Sequence, residues 1–234
     1  MERKHRVLLK LSGEACSGDK GFGFDEDTVR AAAVQVKEAV ENGYQIAVVI
    51  GGGNFWRGRS SDAIERTKAD QIGMLATVMN CVYVSEIFRS EGMRTSLYTP
   101  FACGNVSELY SKDRAVADLE DGKVVFFGGG TGHPYFSTDT TVALRAIEME
   151  AEKILLAKSI DGVYDADPAK VPDAKKYRTV SIEEVIEKKL QVVDLTASVM
   201  CMENRMPMVV FAMNTPGSIV AAIKGEIDGT EVTV

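Results

Sequence analysis

The stretch Tyr44–Asn54, "YQIAVVIGGGN", is a nearly unbroken apolar run that ends on three glycines. A strand with one wet face alternates apolar and polar residues, whereas a strand covered on both faces does not. The run therefore predicts a buried strand, and the glycines predict a tight turn at its carboxyl end. The arrangement recurs twice. "RVLLKL" (Arg6–Leu11) leads into "KLSGE" (Lys10–Glu14), and "KVVFFGG" (Lys123–Gly129) leads into "GGGTG" (Gly128–Gly132). Further strands are read at "RTSLYT" (Arg94–Thr99), "EKILLAK" (Glu152–Lys158), "MVVFAM" (Met208–Met213) and "EVTV" (Glu231–Val234).

Helical patterns fill the intervals. "DEDTVRAAAVQVKEAVENG" (Asp25–Gly43) reads as a helix capped by Asp25 or Asp27 and ended by Gly43. Others are Ile64–Gly92, Ser111–Gly122, Ser137–Ala151 and Ser181–Lys189. Apolar strands alternating with helices predict an α/β fold, a mostly parallel sheet covered on both faces. No repeat or linker divides residues 1–234, so a single domain is expected.

The composition, 45% hydrophobic and 26% charged, is that of a globular chain. A formal net charge of −7 gives no general attraction to nucleic acid or to an anionic membrane. An anionic ligand must then be held by a local site. The four cysteines, Cys16, Cys81, Cys103 and Cys201, form no CxxC, which fits buried thiols in a reducing cytoplasm rather than a disulfide or zinc framework. The N-terminus lacks a signal-peptide pattern, and no unbroken run of about 18 apolar residues predicts a membrane span.

Three glycine turns at strand ends predict a phosphate or nucleotide site outside the carboxyl ends of the strands. GxxxxGK[ST], GxGxxG after a strand, and GxSxG are all absent. Isolated charges remain. Lys10 and Lys158 each end an apolar strand, where a lysine either snorkels to solvent or meets an anion. Arg57 follows "GGGNFW" and is either a solvated loop residue or a fork for phosphate oxygens. Asp139 stands at a helix start, where capping and anion binding can share the place. Cations, glycine backbones and a carboxylate suit phosphoryl transfer, which needs alignment and charge stabilisation more than covalent groups. From the residues alone, the substrate stays open.

The ordered set "KLSGE", "GFG", "VVIGGGNFWRG", "ADQIGMLATVMN", "GGGTGHPYFSTDTTVALRA" and "DGVYDADP" resembles the bacterial uridylate kinases of the amino acid kinase family. The resemblance implies a three-layer α/β/α sandwich with a mostly parallel central sheet. It also implies the Mg²⁺-dependent reaction of ATP with UMP to give ADP and UDP, within pyrimidine nucleotide biosynthesis. It implies that Lys10, Leu11, Ser12 and Gly13 face the ATP phosphates, with Gly53 and Arg57 beside the reacting groups. Lys158, Tyr164 and Asp167 belong to the adenine and ribose side. Gly52 and Asp70, the latter on the ribose hydroxyls, belong to UMP. So does the run Thr131, Gly132, His133, Pro134, Tyr135, Phe136, Ser137 and Thr138. Lys10, Arg57, Asp139 and Lys158 are the implied catalytic set. Magnesium is carried by the ATP phosphates rather than by a protein metal site, and Asp194 supports the network.

By the same resemblance, Gly18, Asp19, Lys20, Gly21, Phe22 and Gly23 form the region that carries GTP activation, with UTP as inhibitor. The assembly implied is a homohexamer built from dimers. The predicted helix from Asp70 to Phe88 is apolar nearly all round, so it is either a core helix or a subunit contact. Two rival readings share the fold. A carboxylate or carbamate kinase has no need of the ribose aspartate. A metal-oxyanion storage protein has no need of Lys10 and Lys158.

Overall fold

The computed structural model describes residues 5–56, 64–226 and 228–234. Among the described residues nine strands form one sheet: β1 (Arg6–Leu11), β2 (Gln45–Ile50), β3 (Thr95–Thr99), β4 (Glu108–Leu109), β5 (Val124–Phe127), β6 (Lys153–Lys158), β7 (Thr179–Ser181), β8 (Met208–Ala212) and β9 (Thr230–Thr233). Their order is β4-β3-β5-β2-β1-β6-β8-β9-β7. Among the pairings of these described strands, β8–β9 alone is antiparallel. The helices are α1 (Gly13–Cys16), α2 (Glu26–Glu41), α3 (Arg66–Ser90), α4 (Lys112–Glu120), α5 (Thr138–Glu148), α6 (Ile182–Glu187), α7 (Leu195–Glu203) and α8 (Ser218–Lys224).

Strand alternation builds two cores. Val7, Leu9 and Leu11 of β1 join Ile46, Val48 and Ile50 of β2 beneath α2, α3 and α8. Leu8 of β1, Ala47 and Val49 of β2, and Ile154 and Leu156 of β6 join the other core, beneath α4, α5, α6 and α7. Burying each such side chain contributes roughly 1.5–3 kcal/mol. The three layers follow from this. The same parity decides the chemistry. Lys10 lies two residues beyond Leu8, and Lys158 two beyond Leu156, so both lysines project from the α5 face. β1 and β6 pair directly, with Lys10 opposite Leu156.

Of the two caps expected for α2, Asp25 is used: its carboxylate accepts from Thr28 N at 3.0 Å. Asp139 is not the cap of α5. Ser137 is, accepting from Thr140 N at 3.1 Å, and this leaves Asp139 in the first turn with its carboxylate free for another partner. α3 is long and apolar enough by composition to cross a bilayer. It packs as a core helix instead, with Ala69, Ala76, Cys81, Val84 and Phe88 buried. It is not buried all round, however. Ile72, Leu75, Met79 and Val82, at 40%, 54%, 48% and 41% exposure, form a stripe on its outer face.

Candidate active site

The strands β5, β2, β1 and β6 are neighbours in the sheet. Their carboxyl ends therefore bring the three glycine turns and Lys158 side by side. Gly13 must be a glycine: a Cβ there would collide with Gly51 O and lie 2.7 Å from Asn54 Oδ1. The first two turns are thus in backbone contact.

Around them lies a cleft of about 250 Å³ lined by Lys10, Ser12, Gly13, Glu14, Gly51, Gly52, Gly53, Ser137, Thr138 and Asp139. Lys10 Nζ donates to Asp139 Oδ1, with the two side chains 13% and 22% exposed. Thr138 and Asp139, the first residues of α5, line the same cleft, and a helix start is a favourable place for anions. Lys158 Nζ donates to Val192 O. Burial, and secondarily the charge of Lys10, lowers its pKa to about 8, while Asp139 acts in the opposite sense. Asp194 caps α7, accepting from Ala197 N at 2.8 Å, and also accepts from Ser137 Oγ and Thr140 Oγ1. It therefore ties α7 to the start of α5.

A second cleft, of about 210 Å³, opens beside the first. Trp56, Arg66, Asp70, Gly73, Met74, Thr77, Gly130 and Phe136 line it. Gly52, Gly53, Ser137 and Thr138 line both clefts. Asp70 Oδ2 accepts from Tyr135 N at 2.8 Å and Arg66 Nε at 2.7 Å. The Arg66 guanidinium also lies 5.0 Å from the centre of the Tyr135 ring. These contacts hold Tyr135 at φ 72°, a left-handed conformation that costs a non-glycine residue roughly 1–3 kcal/mol.

The loop Thr131–Thr138 divides between two cavities. Phe136, Ser137 and Thr138 line the second cleft, Thr131 and His133 face a neighbouring cavity with Pro100, Tyr110 and Arg145, and Phe136 lines both. Positive φ at Gly129, Gly130, Gly132 and Tyr135 turns the chain repeatedly along this stretch. Leu11 also departs from expectation. Its side chain is buried in the α2 core, and its carbonyl accepts from Gly51 N at 3.1 Å.

A third cleft, of about 310 Å³, is lined by Gly162, Val163, Tyr164, Asp167, Pro168 and Leu190 among others. Tyr164 and Asp167 thus lie together as expected, with Tyr164 Oη donating to Asp161 Oδ1 at 2.9 Å. Lys158 lines neither this cleft nor the one around Lys10, and ends β6 beside β1 on the face that carries Lys10. Arg57 lies outside the described residues. Among the described residues, no group of three or more His, Cys, Asp or Glu converges. Glu14 and Asp139, both in the Lys10 cleft, are the carboxylates that would stand beside a magnesium ion keeping most of its ligands on phosphates and water.

Sequence reasoning missed Thr77, Asn80 and Trp56. Thr77 Oγ1 accepts from Gly129 N at 2.9 Å, and Trp56 Nε1 donates to Ala69 O at 2.8 Å. The signal was present. Asp70, Thr77 and Asn80 recur on one face of an otherwise apolar helix, where polar residues need a reason.

The amino acid kinase family profile matches residues 5–212. The chain belongs to the amino acid kinase family. Within it, the chain is similar to UMP kinase from Bacillus anthracis, at 35% identity over 98% of this chain and 96% of that one, with a TM-score of 0.94. For UMP kinase from Ureaplasma parvum the values are 31%, 99%, 100% and 0.93. Uridylate kinase from Archaeoglobus fulgidus is 27% identical over 97% and 99%, at 0.77. The resemblance to bacterial uridylate kinases read from the sequence is borne out, as is the three-layer fold.

Proposed function

We propose that the protein is a UMP kinase, transferring the γ-phosphoryl group of ATP to UMP. The observation that carries this reading is the wall shared by two clefts. Gly52, Gly53, Ser137 and Thr138 separate a cleft that holds Lys10 and the glycine backbones, suited to the donor phosphates, from a cleft that holds Asp70, suited to a ribose. An oxygen of the UMP phosphate attacks the γ-phosphorus, and the bond to the bridging oxygen of ADP breaks. Lys10 and Lys158 offset the charge of the transferred group, and Asp139 orients Lys10. Magnesium on the ATP phosphates supplies further charge neutralisation. Tyr164 and Asp167 receive the adenosine end. UDP then feeds pyrimidine nucleotide synthesis in the cytoplasm, where the four free cysteines stay reduced.

The test is a coupled ADP-release assay offering UMP, CMP, acetylglutamate and carbamate in turn. Turnover with UMP alone is expected. Turnover with a carboxylate or carbamate would replace this reading by the rival kinase. Release of ADP with none of them would favour the storage protein.

No general base is required. A phosphate monoester has its second pKa near 6, so the attacking oxygen is already anionic at neutral pH. His133, which lines the neighbouring cavity, has a loop-packing role in this scheme. His133→Asn is expected to keep kcat within about threefold, a barrier change under about 0.7 kcal/mol. A hundredfold fall, with loss of an ionisation near the histidine reference of about 6.5, would make His133 catalytic after all.

Asp70→Asn is expected to raise KM for UMP roughly ten- to a hundredfold, since a carboxylate hydrogen bond is worth about 1.5–3 kcal/mol. The variant also weakens the latch on Tyr135. An unchanged KM for UMP would refute the contact, and a change confined to ATP would move Asp70 to the donor side.

The outer stripe of α3, Ile72, Leu75, Met79 and Val82, supports homodimers that build the hexamer. The segment Gly18–Gly23 supports GTP activation, with UTP as inhibitor. Phe22, 66% exposed, packs edge-on against Phe55 at 5.3 Å, next to the second glycine turn.

A further inference from the structure

Two buried amides meet behind the second glycine turn. Asn54, at its end, is 1% exposed, and Asn80 of α3 is 0% exposed. Asn80 Nδ2 donates to Gly51 O at 2.6 Å and to Asn54 Oδ1 at 2.7 Å. Asn54 Nδ2 donates to Asn80 Oδ1 at 3.1 Å and to Gly23 O at 2.8 Å. Both amide orientations are forced. Gly51 O and Gly23 O can only accept, so each side chain must turn its NH₂ group toward a carbonyl. All four amide protons are then used, and each amide oxygen accepts from the other side chain. A fully satisfied buried network of this kind fixes one geometry, because any alternative strands a polar group.

The pair reaches three backbone segments at once. Asn80 holds the Gly51 carbonyl, whose residue also donates N–H to Leu11 O. Asn54 Oδ1 lies 2.7 Å from where a Cβ on Gly13 would sit, so with Gly51 O it limits how closely the first turn approaches the second. On the far side, Gly23 N donates to Asn54 O at 3.1 Å, and Phe24 stacks on Tyr83 of α3 with ring centres 3.8 Å apart. Neither asparagine lines the cleft that contains Lys10.

We propose that Asn54 and Asn80 are positioning residues. Their reciprocal amide pair holds the Gly51–Gly53 turn at the distance from Gly13 that phosphoryl transfer requires, and ties the Gly21–Phe24 segment to that turn. The proposal rests on the kinase reading above and specifies how its phosphate site is held. A change at Gly23 reaches Gly51 through two side chains, with no part of α3 needing to unfold.

The test uses Asn54→Ala and Asn80→Ala, singly and together, with Phe88→Leu as a control in the same helix two turns away. Each single alanine variant is expected to lower kcat about a hundredfold, the effect of a misplacement near 1 Å. KM for UMP should stay within about threefold. The double variant should be no worse than either single one, because the pair acts as a unit. Asn80→Ser, which keeps one donor for Gly51 O, should recover about tenfold of the kcat lost in Asn80→Ala. If the alanine variants do not fold, the serine variant carries the test, expected about tenfold below wild type.

A second readout does not depend on turnover. Trp56 is the only tryptophan in the chain and lies two residues beyond Asn54. Acrylamide quenching of its fluorescence in the ligand-free protein should rise in the asparagine variants. It should stay unchanged in Phe88→Leu, which is expected to lower the melting temperature while sparing kcat. The proposal is overturned by kcat within threefold of wild type, by unchanged quenching, or by an equal kcat loss in Phe88→Leu. If wild-type protein itself fails to turn over UMP, the kinase reading falls, and the quenching comparison still decides whether the pair holds the turn.

Discussion

Replacing Lys10 by methionine is expected to lower turnover of UMP by about 10²–10³-fold, the usual loss when one donor to developing charge is removed. The fold should survive. Lys10 lies on the α5 face of β1, and methionine fills much the same volume as the lysine stem without its charge. Asp139 loses its partner but, at 22% exposure, remains within reach of water, so the stranded charge is a modest penalty. The loss should fall mainly on kcat. The triphosphate keeps other contacts in the ground state, whereas the ammonium matters most as charge redistributes on the transferred group. The check is steady-state kinetics alongside a circular-dichroism melt. Near wild-type kcat in a folded variant would remove Lys10 from the transfer step.

The parity that places Lys10 was already readable from the sequence. Unbroken apolar runs such as "AVVI" declare strands buried on both faces, and counting by twos from Leu8 sends Lys10 to one layer. Counting from Leu156 sends Lys158 to the same layer. What could not be read were elements too short to carry a period. β4 has two residues, β7 three and α1 four. α7 and α8 were also missed. α7 mixes Thr, Ser, Val and Cys, which are weak helix formers, and α8 begins just after Pro216-Gly217. The glycine turns were visible as a group, since backbone that must approach other backbone leaves glycine behind.

Contacts between distant segments were harder to see. Ser137 and Asp194 are 57 positions apart, and Asn54 and Asn80 are 26 apart; no local pattern pairs them. The acceptor loop was read as one continuous cradle because its sequence is continuous. Its left-handed residues spread it over two neighbouring cavities that share Phe136, a property of φ angles that composition only hints at. Asp139 looked like a cap because it lies among threonines at a helix start. The serine two positions earlier took that role and left the carboxylate to Lys10.

Lys158→Met is expected to abolish most turnover, again by about 10²–10³-fold, and at the same time to stabilise the fold. The lysine is held charged at neutral pH against burial and against the neighbouring Lys10, which together lower its pKa from 10.5 to about 8. That depression corresponds to a destabilisation on the order of 3 kcal/mol while the group is charged. Loss of the hydrogen bond to Val192 O returns about 1 kcal/mol, so the net gain expected at pH 7 is about 1–2 kcal/mol. The sign has a distinctive pH dependence. Between about 8 and 10.5 the unfolded chain binds more protons at this lysine than the folded one, so wild-type stability from this group rises with pH. Below about 8 the full penalty is present, and above about 10.5 it is gone. The advantage of the methionine variant should therefore be largest at pH 7 and vanish near pH 10.5. Urea unfolding at the two pH values measures it. A variant less stable than wild type at pH 7, or a difference that ignores pH, would show that Lys158 is not a strained, buried cation. A site that holds two ammonium groups around a single carboxylate, Asp139, should lose stability to do so. ATP phosphates would relieve both, and the stability given up in the empty protein would reappear as affinity for the triphosphate.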